Sequence, residues 1–221
     1  MKKLFLLCVV LLAANCFAAS KEAERLTNAA TALDEIMAAP DKGIPGDVLH
    51  RVHCIAVIPG MKKGAFVFGG QGGKGAVACR KTGGGWGAPS MLSIAGGSFG
   101  LQIGVQSTDV VMLFMNKRGA EFLTSNKFEV GGDLSAAAGP VGRDASANTD
   151  AAMNAELYTY SRSKGLFAGI SLKGARVTTD DDGNRAVYGR SVSAKDLLQG
   201  GNVAPPSAAG PFMNALNKYA K

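Results

Sequence analysis

Residues 54–80 read CIAVIPGMKKGAFVFGGQGGKGAVACR, and this stretch decides the fold. Three runs within it, 54–60, 64–70 and 75–80, are short and rich in apolar and β-branched residues. Between them lie Pro59 to Lys63 and a glycine run, both typical of connections. We therefore predict successive antiparallel strands.

The glycine run GGQGGKG, residues 69–75, formally contains a nucleotide-binding pattern in Gly70, Gly72 and Gly75. A dinucleotide site requires a strand, a glycine turn and then a helix, because the phosphate binds at the helix N-terminus. Here the glycines lead into another strand-like run, AVACR. The Walker pattern also fails, since Lys74 is followed by glycine. We interpret the run as a hairpin turn in which glycine supplies positive φ.

The remaining sequence predicts an α+β fold with a glycine-rich, mainly antiparallel β-sheet core, an N-terminal amphipathic helix and short flanking helices. An apolar stripe predicts the first helix over 21–39, and Pro40 ends it. Short helices are expected at 44–52, after Asn116 and from Ser193. Alternation predicts one strand over 166–179, with Asp182-Gly183 turning it into a hairpin. A linker and an amphipathic tail occupy 201–221.

The N-terminus has the pattern of an export signal. Lys2 and Lys3 precede an apolar stretch that is far too short to span a membrane, and small residues follow. We predict a signal peptide over 1–18; the alternative is a lipoprotein signal over 1–15 with Cys16 lipidated. The protein is then periplasmic or secreted, or anchored to the membrane through Cys16.

Export affects the net charge of the mature protein and the expected state of its cysteines. The chain carries 24 basic and 17 acidic residues, and loss of the two signal lysines lowers the net charge from +7 to +5. Such a charge favours anionic partners. Cys54 and Cys79 form a candidate disulfide worth about 3 kcal/mol in an oxidising compartment. A simple meander of three strands would place them at opposite edges, so the pairing stays open.

Catalytic and metal-binding motifs are weak. Ser98 lies in a G-x-S-x-G sequence, but the hydrolases that use it place their histidine after the serine, and His50 and His53 both precede it. A serine esterase is therefore a remote alternative. His50, His53 and Cys54 lack convincing zinc spacing, and the acidic run 180–184 lacks the calcium-loop pattern. We predict no enzyme, cofactor or metal.

Several segments in order resemble the SYLF-domain family, known from eukaryotic phosphoinositide-binding and actin-patch proteins and from exported bacterial homologues. The resemblance extends over roughly residues 23–190. It rests on these blocks: Ala56 to Pro59 with Lys62 to Gly64, Gly85 to Ser90, Gly97 to Gly104, Thr108-Asp109, Ala137 to Arg143, and Tyr160 to Gly169.

The resemblance implies a non-catalytic α+β domain, here 19–200, that binds acidic membrane lipids. Because of the export signal, anionic phospholipids of a bacterial envelope are the expected partners, and actin is not. Nucleic acid is not expected either, because aromatic residues are few. An envelope protein partner is the alternative. The candidate lipid-binding residues are Lys62, Lys63, Lys74, Arg80, Arg143, Arg162 and Lys164, and the N-terminal helix would add apolar contact.

Overall fold

The computed structural model describes residues 21–39, 43–65, 69–98, 104–125, 127–139, 155–163, 166–169, 172–200 and 202–220. The helices are α1 (21–37), α2 (Gly46–Arg51), α3 (Lys117–Phe122), α4 (Asp181–Tyr188), α5 (Ala194–Leu198) and α6 (Gly210–Tyr219), the last preceded by a 3₁₀ turn at Ser207–Ala209. The strands are β1 (Cys54–Ala65), β2 (Gly69–Cys79), β3 (Ser90–Ser98), β4 (Gly104–Phe114), β5 (Lys127–Glu129), β6 (Ala136–Ala138), β7 (Leu157–Ser163), β8 (Leu166–Gly169) and β9 (Arg176–Thr179).

One sheet contains all the strands of the described residues, in the order β5-β9-β3-β2-β1-β4-β7-β6, with β8 also paired to β7. The pairings are antiparallel except for that of β6 with β7. β1 is therefore a central strand between β2 and β4. The predicted α+β class with a mainly antiparallel sheet is confirmed.

Apolar side chains cover both faces of this sheet. Ile55 and Val57 of β1 point to one face, where they pack with α1, α2 and α6. Cys54, Ala56 and Ile58 point to the other face, where they pack with α3 and α5. Side chains alternate between faces along a strand, so a central strand covered on both sides is apolar in consecutive positions.

The described residues of the stretch 54–80 form two strands, and the prediction of three is wrong. β1 continues through Pro59 and Gly60. A bulge lies at these residues, where the pairing of β1 with both neighbours shifts register, and a bulge is a position at which a sheet tolerates proline. The glycine run lies within β2, so its interpretation as a hairpin turn is also wrong. A Cβ on Gly75 would lie 2.0 Å from the Val57 carbonyl oxygen, so glycine there permits close approach of β1.

The two-strand arrangement also removes the objection to the disulfide. Cys54 begins β1 and Cys79 ends β2, and the two residues are direct cross-strand partners. Their sulfur atoms are bonded in the structure. The bridge thus ties two central strands together at one end of the sheet.

Residues 166–188 differ most from prediction. The expected single strand is divided into β8 and β9, because the chain turns at Gly174, which has φ +81°. The expected hairpin at Asp182-Gly183 is the helix α4. Asp180 caps it by accepting a hydrogen bond from the Gly183 amide, and Gly189 ends it in the left-handed conformation, two signals that favour a helix.

The other predicted helices are present. Asn116 caps α3 and Ser193 caps α5 through side-chain oxygens, and α2 starts after Pro45. The apolar stripe of α1 is buried in the core, as are Phe212 and Leu216 of the predicted amphipathic tail. In the described part of the chain, none of the helices has the length and apolar character needed to cross a bilayer.

Candidate functional site

The bulge in β1 decides where the Lys62 and Lys63 side chains point. Ile58 and Met61 both pack on the α3 face, although strict alternation would place them on opposite faces. The register shifts between these two residues. Lys62 consequently points to the α1 side of the sheet and Lys63 to the α3 side. The Gly60 amide donates to Asp109 Oδ1 at 2.7 Å, which connects the bulge to β4.

Lys62 and Lys63 have uncharged cross-strand partners. Their cross-strand partners are Gly72 and Gln71 on β2, and Ser107 and Gln106 on β4. Lys62 is exposed and donates to Ser107 Oγ at 3.2 Å, while Lys63 is half-buried. In the described ranges no acid forms an ion pair with either lysine. We call Lys62 and Lys63 together the lysine end of β1.

A groove of about 630 Å³ lies between α1 and the strands β1, β2 and β4, next to the bulge in β1. Lys62 and Lys74 line it from the sheet, and Lys21 and Arg25 line it from the helix. Acidic residues line it as well, namely Glu24, Glu35 and Asp109. The charge of the groove is therefore mixed.

Two predicted binding residues, one that lines this groove and one that pairs with a lining residue, have acidic partners within the protein. Lys74 Nζ lies 2.7 Å from Asp180 Oδ2, and Asp180 also caps α4 and lies 3.6 Å from Arg25 Nη1. Arg162 of β7 pairs with Glu35 of α1. Both contacts connect the sheet to helices, so these two side chains contribute to holding the elements together.

Arg80 also has partners within the protein. It lies near the Cys54 end of β1, opposite to the lysine end. Its Nε donates to the Val52 carbonyl at 3.0 Å and its Nη2 to the Leu49 carbonyl at 3.2 Å. These carbonyls end α2, where a cation is favourable. The guanidinium lies 4.8 Å from the Trp86 ring centroid. Burial lowers the pKa of Arg80 from its usual value.

Three predicted functional positions, Arg143, Lys164 and Cys16, lie outside the described residues. Ser98 ends β3, and its side chain is likewise outside the description. Cys54 is occupied by the disulfide and so provides no free thiol for a metal. Among the described residues no group of three or more His, Cys, Asp or Glu is placed to hold a metal ion.

A second cavity, which the sequence did not indicate, lies at the disulfide end of β1. It measures about 480 Å³, and we call it the basic cavity. The turn after β2, the start of α3 and the end of α5 surround it. The charged or titratable residues that line it are His53, Arg80, Lys81, Lys117 and Glu121. Lys81 and Lys117 are far apart in the sequence, so only the fold brings them together.

Comparison with known proteins identifies the family. Residues 95–219 match the family model Ysc84, described as Las17-binding protein actin regulator. The chain belongs to the Ysc84 family. This confirms the SYLF resemblance, and the match includes α6 in addition to the strands. The matched region begins within β3, so it contains β4, β7 and the helices that follow the sheet.

Individual Ysc84 relatives extend the match toward the N-terminus. LAS seventeen-binding protein 3 of Saccharomyces cerevisiae is 37% identical over 183 residues, which cover 81% of this chain and 39% of the yeast protein. SH3 domain-containing YSC84-like protein 1 of Rattus norvegicus is 36% identical over 181 residues, or 81% of this chain and 53% of the rat protein. The chain spans about half or less of the length of these relatives. The yeast name describes a binding protein, and neither name is that of an enzyme.

Proposed function

We propose that this Ysc84-family protein is an exported, non-enzymatic module that binds anionic membrane lipids. In this proposal the lysine end, Lys62 and Lys63, makes the first contact with the lipid headgroups. Arg143 and Lys164 remain candidate contributors. Lys74, Arg80 and Arg162 contribute less, because acids or backbone carbonyls inside the protein already bind them.

The carrying observation is the pair of lysines with no acidic partner among the described residues. Adjacent residues on a strand point to opposite faces, so Lys62 and Lys63 present charge on both faces of the sheet at the same end of β1. A lysine near an anionic membrane surface contributes about 1 kcal/mol. Two lysines give weak binding, so additional cations are needed for stable attachment.

Neighbouring segments supply a reason to keep Lys164 in the proposal. Ser163 ends β7, and its hydroxyl donates to the Ser107 carbonyl at 3.3 Å. Ser107 is also the β4 partner of Lys62. Lys164 is the next residue after Ser163 in the sequence, which keeps it among the candidate contributors.

Two observations support export. Lys2 and Lys3 followed by a short apolar stretch have the order of a secretory signal. The bond between Cys54 and Cys79 is of the kind that persists in oxidising compartments and is rare in the cytosol. Export through a lipoprotein signal with Cys16 lipidated remains the alternative, and such an anchor would attach the protein to a membrane.

A protein partner is the second candidate, favoured by the names of the relatives. The yeast relative is named for binding LAS seventeen, and the family description refers to the same activity. A chain that uses its surface in a comparable way would dock on an envelope protein. Such binding would not require anionic lipid, so vesicle experiments separate the two candidates.

The test is flotation of the purified protein with phosphatidylglycerol vesicles. We expect Lys62→Gln combined with Lys63→Gln to reduce the bound fraction several-fold, since each lysine contributes about 1 kcal/mol. The matched control neutralises two exposed lysines elsewhere, Lys127→Gln with Lys195→Gln, and should bind nearly as well as the parent. Equal loss in both variants would mean that binding depends on net charge and not on the lysine end.

A further inference from the structure

The basic cavity, at the disulfide end of β1, is remote from the lysine end. Lys62 lies eight positions after Cys54 along β1, which corresponds to roughly 25 Å of extended strand. A ligand bound in this cavity would not touch Lys62 or Lys63. The two sites can therefore be tested independently.

We propose that the basic cavity binds a small molecule carrying a phosphate or another multivalent oxyanion. Arg80, Lys81 and Lys117 line the cavity, and Glu121 is the acid among its lining residues. Cations gathered around a concave site favour anions by their combined potential. The volume of about 480 Å³ exceeds what a bare phosphate fills and lies in the usual range of small-molecule sites.

The walls of the cavity favour a charged ligand held in a fixed position. Leu197, Leu198 and Ala120 are buried and line it together with Cys79. Apolar walls lower the local dielectric constant and so strengthen the attraction between an anion and the cations. Arg80 is already fixed by its bonds to the α2 carbonyls. Ordering of this guanidinium on ligand binding would therefore cost little conformational entropy.

His53 also lines the cavity and provides a direct readout. Burial, with repulsion from Lys117 and Arg80, lowers the pKa of His53 below 6.5. Lys81 and Glu121 are the other charged groups of the lining. A bound oxyanion would offset the repulsion and raise the pKa of His53. The only other histidine of the chain, His50, is exposed on α2 and serves as an internal control.

The test titrates pyrophosphate into the purified protein while NMR follows the two imidazoles. We expect saturable shifts of the His53 signals and a raised pKa of His53, with little change at His50. Lys81→Gln combined with Lys117→Gln should weaken the apparent affinity about ten-fold, since each exposed charge contributes up to about 1 kcal/mol. Lys62→Gln with Lys63→Gln should leave it unchanged. Arg80 is kept, because its loss would also disturb α2.

Competition with vesicles identifies the source of the oxyanion. If pyrophosphate displaces the protein from phosphatidylglycerol vesicles and the Lys81/Lys117 variant floats poorly, the cavity takes a lipid headgroup. If flotation is unaffected while pyrophosphate still shifts His53, the ligand is a soluble phosphate compound. Both results support the site. Absence of saturable His53 shifts, or equal affinity in the parent and the Lys81/Lys117 variant, would overturn it, whatever the lysine end does in flotation.

Discussion

At the scale of single residues, glycines of β2 make the bulge in β1 possible. A Cβ on Gly73 would lie 2.7 Å from Ile58 Cγ2, and a Cβ on Gly75 would meet the Val57 carbonyl oxygen. Both positions face the part of β1 where the register shifts. The bulge in turn sets the faces to which Lys62 and Lys63 point, so these glycines act on the proposed lipid site without touching it.

Gly75→Ala tests this account of close approach. The new methyl group would meet a fixed backbone atom 2.0 Å away, so β1 and β2 must separate, and we expect the free energy of unfolding to fall by about 3 kcal/mol or more. Urea denaturation measures the change. Gly70→Ala, in the same strand but with no atom within 4 Å of the new methyl, should change stability by less than about 1 kcal/mol. Similar losses in both variants would contradict the account.

At the scale of elements, contacts between the first and last helices hold one face of the sheet together. Asp34 of α1 accepts hydrogen bonds from Tyr219 Oη at 2.7 Å and from Lys218 Nζ at 3.0 Å, both on α6. These bonds lower the pKa of Asp34 below its usual 3.8, with that from Tyr219 the largest cause. Residues separated by most of the chain thus meet at one carboxylate.

The shift of Asp34 predicts a pH dependence of stability. Because the folded state lowers the pKa, Asp34 stabilises the protein above about pH 4, and this contribution is lost as the pH falls through the folded-state pKa. We expect Asp34→Asn to melt at a lower temperature than the parent at pH 7 and the difference to shrink at pH 3. Asp182→Asn, at an exposed position, is the control. A difference that is constant with pH would contradict the assignment.

How far the sequence predicts the elements depends on whether the signal is local. Asn116 and Ser193 precede helical runs and do cap helices, because a cap depends on residues three positions away. The path of β1 through Pro59 depends on both of its neighbours in the sheet, so periodicity could not reveal it. The helix α4 has local signals, Asp180 and Gly189, but Asp182-Gly183 is also typical of a turn, so the sequence is compatible with both structures.

The site was predictable to a smaller extent. Lys62 and Lys63 stand out in the sequence as a cationic pair and lie together in the structure. Lys74 and Arg162 also stand out, but their partners Asp180 and Glu35 are more than 100 positions away. The basic cavity is likewise formed by residues that are distant in the sequence, since Lys81 and Lys117 come from separate elements. A list of cations taken from the sequence therefore mixes candidate binding residues with structural ones.

At the scale of the whole molecule, the C-terminal helix completes the core on the α1 face of the sheet. Phe212 and Leu216 are fully buried there. The Trp86 indole donates to the Ala220 carbonyl at 3.1 Å. The segment expected as a tail after a linker is therefore packed against the strands, and its apolar face is not available to a membrane. The apolar face of α1 is buried in the same core. The proposed lipid contact therefore depends on cationic side chains and not on the apolar faces of these two helices.

Phe212→Ala measures the contribution of this helix. Removal of a fully buried ring should lower the free energy of unfolding by about 3–5 kcal/mol, followed in urea by the fluorescence of Trp86, the single tryptophan. Asn217→Ala changes an exposed residue of the same helix and should alter stability by less than about 0.5 kcal/mol. If Phe212→Ala is as stable as Asn217→Ala, α6 is not part of the cooperative core.

The most direct test of the proposed lipid binding is flotation of the purified protein with neutral and with phosphatidylglycerol or cardiolipin vesicles, at low and at high salt. Charge-driven attachment is screened by ions, with a Debye length of about 10 Å at 0.1 M salt and about 3 Å at 1 M. We predict binding to the anionic vesicles alone, and its loss at high salt. Binding to neutral vesicles, or binding that survives high salt, would contradict a contact made by Lys62 and Lys63. Absence of binding to any vesicle would contradict the lipid proposal and favour a protein partner.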